Sequence, residues 1–129
     1  LPDVVTAQPI VFVVRPQYAP DHHNTETMFQ TGEINTGSFR GGSAIRTIDL
    51  AHGGQVRTLL DVPQGIARDI DVHFSGQRLV FSMRRDAADD YHIYEMNADG
   101  SSLKQLTFGG GISDIDPIYL PDDRILFSS

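Results

Sequence analysis

The sequence predicts an all-β fold, on three observations. Short apolar runs rich in Ile, Val and Phe recur without helical spacing. Ser-Gly, Pro-Asp and Asp-Gly pairs separate these runs, and one pattern occurs twice. Its copies are "DIDVHFSGQRLVFS", Asp69 to Ser82, and "DIDPIYLPDDRILFSS", Asp114 to Ser129. Both run Asp-Ile-Asp, two residues, an aromatic with apolar neighbours, a turn, Arg, three apolar residues and Ser. This alignment matches Asp69 with Asp114 and Arg78 with Arg124, an offset of 45 to 46 residues.

Each copy reads as a strand, a tight turn and a second strand. After the first copy, Ile93, Glu95 and Asn97 alternate with Tyr94 and Met96, which is strand periodicity, and Asp99-Gly100 supplies a hairpin turn. One unit is therefore four antiparallel strands, near 70 to 74, 78 to 83, 91 to 97 and 103 to 107. A four-stranded sheet repeating at about 45 residues is a β-propeller blade, which gains stability by stacking on its neighbours. Tyr91, Tyr94 and Tyr119 are expected to pack between blades.

Earlier, "PIVFVVR" (Pro9 to Arg15) matches "RLVFSMR", and "AIRTIDLAHGGQVRTLL" (Ala44 to Leu60) matches "YHIYEMNADGSSLKQLT". The expected architecture is thus a partial β-propeller of about two and a half blades. Blade one spans 9–60 with a loop insertion at 16–43, blade two spans 69–107, and blade three starts at 114–129. Asp3 to Ala7 is expected to contribute to closure, and further propeller is expected to complete the ring.

The insertion carries the candidate site. Pro16 to Ser43 fills 28 positions where Arg85 to Tyr91 fills 7, and loops of such length in compact domains are usually functional or disordered. It contains "DHHNTETMFQTGE", Asp21 to Glu33, which has neither helical nor strand periodicity. The expected binding loop is His22, His23, Asn24, Glu26, Phe29, Gln30 and Glu33, within a segment Asp21 to Gly42 that leaves one propeller face. Imidazole and carboxylate are ordinary ligands of divalent metals, which makes His22, His23 and Glu33 the metal candidates. No His-x-x-x-His or Glu-x-x-His spacing supports them, and hydrogen-bonded histidines packing on a neighbouring domain are the plainer reading.

Elsewhere the bland readings lead. Asp69 with Asp71, and Asp114 with Asp116, could offer oxygens to calcium. Aspartates repeated at one template position more commonly accept backbone N–H bonds and lock blade to blade. "RRDAADD", Arg84 to Asp90, reads as a solvated turn with local ion pairs. "GEINTGSFRGG" lacks the order of a phosphate loop, its glycines read as giving chain flexibility, and no Gly-x-Ser-x-Gly elbow supports a hydrolase. No catalytic residue is assigned.

Composition narrows the partners. A formal charge of −7 with ten scattered Lys and Arg argues against nucleic acid. No apolar run approaches the roughly 18 residues of a membrane span, and no signal-peptide pattern opens the chain. The absence of cysteine excludes disulfides, thiolate nucleophiles and Cys-x-x-Cys-His haem attachment within these residues.

At "SDIDPIYLPDDRILFSS" and "IYEMNADGSSLKQLT" the chain resembles the TolB-type propeller repeat, over most of residues 69 to 129. It departs by Val72 where Pro117 stands, by Ser75-Gly76 in place of Pro-Asp, and by Asp123 where glycine is usual. More narrowly, "PIVFVVRPQYAPDHHNTETMFQTGEIN", "GGSAIRTIDL" and the stretch from Val56 to Gly100 resemble large bacterial proteins related to the hydrazine synthase alpha subunit. That resemblance implies an exported protein, periplasmic or otherwise, with c-type haem elsewhere in the full-length protein; this chain, without cysteine, is expected to hold no cofactor.

The reading is a scaffold and binding module whose segment 21–42 contacts another domain of the same protein or a protein partner. Two rivals stand beside it. One is a hydrazine synthase-like redox enzyme with His22, His23 or Glu33 near its active site. The other is a TolB-like protein-interaction module of the cell envelope.

Overall fold

The computed structural model of the chain describes residues 7–16 and 39–129. These form nine strands in three antiparallel sheets, so the all-β expectation holds. The first sheet is β1 (Ile10–Val14), β2 (Ser43–Asp49) and β3 (Gln55–Val62), and the second is β4 (Ile66–Val72), β5 (Arg78–Arg84), β6 (His92–Asn97) and β7 (Lys104–Gln105). The third is the pair β8 (Ile115–Tyr119) and β9 (Ile125–Ser128). Each sheet is a meander with sequential strands adjacent; short connections join every neighbouring pair except β1 and β2, which the long insertion separates.

Side-chain alternation gives the middle sheet an apolar cluster on each face. Leu79, Phe81 and Met83 of β5, with Tyr94 and Met96 of β6, pack on Ile45 and Val62 of the first sheet. Val80 and Ile93 point the other way and pack on Tyr119 and Ile125 of the third. The tyrosines at 94 and 119 therefore sit between sheets, as expected. An aromatic stack of Phe81 on Tyr94, with centroids 6.1 Å apart, ties β5 to β6 within the first of these cores.

The internal repeat is real, but its register differs from the one the letters suggest. β4 pairs with β5 as Arg68↔Ser82 and then Asp71↔Val80, one extra residue on β4, and Asp69 at the bulge has φ 53°. β8 pairs with β9 as Ile115↔Ser128 and then Ile118↔Leu126, and Asp116 at that bulge also has φ 53°. Asp69 thus corresponds to Asp116, not to Asp114, and Val72 corresponds to Tyr119, not to Pro117. The bulge needs a residue that tolerates the left-handed region, and Asp does so better than its β-branched neighbours. Each Asp-Ile-Asp triplet holds two aspartates, and the sheet uses the first of one and the second of the other.

The following turns correspond as well. His73 O accepts from Gly76 N at 2.7 Å, and Leu120 O accepts from Asp123 N at 3.0 Å. Gly76 (φ 70°) and Asp123 (φ 66°) share the left-handed turn position, which explains Asp123 where a glycine is usual. Two strand limits also move. β4 begins four residues before the expected position because pairing continues through the bulge, and β7 is short because Thr107 substitutes its side chain for the ladder. Ile93 N donates to Thr107 Oγ1 at 3.0 Å, while Leu106 N donates to Ile93 O at 2.7 Å.

Gly65, between β3 and β4, lies against the end of β5: a Cβ there would overlap the carbonyl of Arg84 and the backbone of Arg85. Gly65→Ala is expected to lower stability by about 1–3 kcal/mol in urea unfolding. Gly110→Ala, where nothing lies within 4 Å of the added carbon, is expected to be neutral in the same assay.

Candidate functional site

One end of the stacked sheets gathers the features that could serve a partner. The insertion leaves β1 after Val14 and returns into β2 at Ser43, and the loop between β5 and β6 emerges at the same end. The return leg is pinned. Gly42 N and Ser43 N donate to Gly65 O at 3.1 and 3.3 Å. The buried Ser43 hydroxyl accepts from Ala67 N at 3.1 Å and lies 3.4 Å from Ala67 O, joining the first sheet to the second.

Arg84 organises this end. Its side chain is buried, with Nε donating to Asp86 O at 3.2 Å and Nη2 to Ala87 O at 2.6 Å. Its guanidinium lies 4.4 Å from the Phe39 ring centroid and 5.6 Å from that of Tyr91. Phe39, two residues before the glycine pair at 41 and 42, also packs on Ile66 and Tyr91. The buried Arg68 guanidinium lies 5.7 Å from the same Tyr91 ring. Downstream, Asp90 Oδ2 accepts from Gly111 N at 2.6 Å and Asp114 N donates to Tyr91 O at 2.9 Å, which ties the segment entering β6 to the one entering β8.

The loop expected to be a solvated turn is therefore solvated only in part. Arg85 pairs with Asp89 at 3.2 Å, and Asp86 Oδ1 accepts from Ala88 N and Asp89 N. Arg84 and Asp90 at its ends are buried. The reason is geometric: both belong to paired or anchored backbone and face the interface with the third sheet. Burial raises the Asp89 carboxyl pKa, but the Arg85 N–H and guanidinium outweigh it and hold the group below the ordinary carboxylate value.

The expected binding-loop residues His22, His23, Asn24, Glu26, Phe29, Gln30 and Glu33 lie outside the described residues. The described aspartates take the bridging role. Asp71 Oδ2 accepts from Tyr119 N at 2.8 Å, a bond between adjacent sheets. Asp69 pairs with Arg68, whose Nη2 lies 4.0 Å from Asp116 Oδ1. Burial and then the Asp69 carboxylate push the Asp116 pKa up, with Arg68 opposing. Among the described residues no group of three or more His, Asp or Glu is arranged to hold a metal ion.

At the opposite, turn-bearing end, His73 Nε2 meets Asp123 Oδ1 at 2.6 Å and Arg78 Nη2 meets the same oxygen at 3.1 Å. Arg78 Nη1 and the Tyr119 hydroxyl both donate to Glu95 Oε1, at 3.1 and 2.7 Å. The Tyr119 phenol pKa is raised, by burial first and by Glu95 second. The network fastens the second sheet to the third. Ser75 Oγ lies 2.7 Å from His73 Nδ1, which also accepts from Ser75 N, so this contact closes a turn. Beside it a groove of about 700 Å³ opens between the first two sheets, lined by Val11, Leu59, Val72, Phe74 and Leu79 among others.

Of these features, Phe39, Ser43 and Arg84 had no motif to announce them. The only available signal was position: Arg84 ends a strand with an apolar centre, and Phe39 is an isolated aromatic two residues before a glycine pair.

No family model matches the chain, and no curated protein does. Among solved structures, hydrazine synthase from Kuenenia stuttgartiensis matches with a TM-score of 0.53 and 24% identity. The match covers 86% of this chain and 13% of that one, so this chain spans a small fraction of the neighbour, and the likeness is one of fold.

Asp71→Ala is expected to cost about 1–3 kcal/mol in urea unfolding, because the Tyr119 N–H loses its acceptor. Asp71→Asn, which keeps an acceptor, should cost less. A carboxyl held below its ordinary pKa of about 3.9 stabilises the fold above that pH and loses the effect as pH falls through the lowered value. The stability difference between the wild type and Asp89→Asn should therefore be constant from about pH 7 to 5 and shrink below about pH 4.

Proposed function

We propose that this chain is a propeller scaffold and binding module of a larger, exported, cytochrome-linked protein, with the segment 21–42 contacting a neighbouring domain or partner. The observation that carries the reading is the anchored base of the insertion. Phe39 is held against Ile66, Tyr91 and the Arg84 guanidinium, and Ser43 is bonded across to the second sheet. A long segment returning to so fixed a point presents its residues from a rigid platform, the usual arrangement for loops that bind. The fold-level likeness to the hydrazine synthase neighbour agrees with a propeller set within a much longer chain. The cytochrome link, export and the TolB-type relation rest on sequence resemblance.

The test uses the full-length protein carrying a photo-crosslinking residue in place of His23 or Phe29. Crosslinks to parts of the full-length protein outside residues 1–129, or to a second protein, are expected. Crosslinks confined to residues 39–129 would contradict the proposal.

A further inference from the structure

Arg84 is 1% exposed and Ser82 fully buried, and they lie two residues apart on β5, on the face turned toward the third sheet. Arg84 Nη1 and Ser82 Oγ are both buried without a hydrogen-bond partner. Arg68, the cross-strand partner of Ser82, is a second buried guanidinium on this face. Arg68 is paired with Asp69, whereas among the described residues no carboxylate lies within ion-pair distance of Arg84. Two backbone carbonyls and two aromatic faces surround its other edges.

A buried cation with an unfilled donor is costly unless an anion or acceptor meets it. Neutral carbonyls and rings satisfy donors and faces but bring no countercharge. We propose that Arg84 Nη1 and the Ser82 hydroxyl form an enclosed site for a small monovalent anion of the halide class. The phenyl ring of Phe39 and the ring of Tyr91 flank the guanidinium, which favours a small anion over any larger carboxylate ligand. A halide accepts from both an N–H and an O–H and supplies the missing charge. The inference does not rest on what the insertion contacts, although Phe39, on the insertion's return leg, forms one wall of the site.

The test measures the urea unfolding midpoint of the full chain in chloride, bromide and gluconate at constant ionic strength. Chloride and bromide are expected to raise the midpoint saturably, as a ligand of the native state does. Arg84→Met should abolish the anion dependence, and Ser82→Ala should raise the half-saturating concentration several-fold. A midpoint that follows ionic strength whichever anion is used, or an Arg84→Met response equal to wild type, overturns the site. A wild-type crystal grown in bromide gives a check that needs no variant. An anomalous peak beside Arg84 Nη1 is expected, and an ordered water alone at that position overturns the proposal.

Discussion

The structure depends on one constraint: its middle sheet carries apolar clusters on both faces, so neither face can be left to water. Leu79, Phe81 and Met83 alternate along β5 with Val80, and β6 repeats the arrangement with Tyr94 and Met96 against Ile93. A single sheet of this kind has no solvent side. Stacking is therefore a condition of folding, and the first and third sheets provide it.

Polar bonds set the register of that stacking. Near the loop-bearing end, Ser43 joins the first sheet to β4 through Ala67. Toward the turn-bearing end, Asp71 holds the backbone of Tyr119, while Glu95 and Arg78 hold its hydroxyl and the neighbouring turn. Apolar burial alone is non-directional, and these bonds fix how far one sheet slides along the next. The face at the loop-bearing end is rigid for the same reason, since Arg84 and Phe39 fill the corner where two sheets and the insertion meet.

Strand alternation and turn chemistry made most of the fold legible in the sequence. The β5 and β6 boundaries follow directly from the alternation of Leu79 to Met83 and Ile93 to Asn97. What letters could not resolve was which aspartate of each triplet occupies the left-handed bulge, because Asp69, Asp71, Asp114 and Asp116 are chemically identical and only pairing distinguishes them. The burial of Arg84 was hidden for a similar reason: an arginine closing a strand reads as the start of a polar loop until the neighbouring sheet covers it. For the candidate site, the sequence located the insertion by its excess length. Its anchor points at Phe39 and Ser43 depend on contacts from β4, from Arg84 of β5 and from Tyr91, which are far away in sequence.

Native-state hydrogen exchange tests the central claim most directly. If two-sided stacking holds the fold together, the amides of Phe81, Ser82, Ile93 and Tyr94 exchange only through global unfolding. Those of β1 and β9, at the outer sheets, then exchange through cheaper local openings. Equal protection of β5 and β9, or loss of β5 protection without global unfolding, would contradict the account.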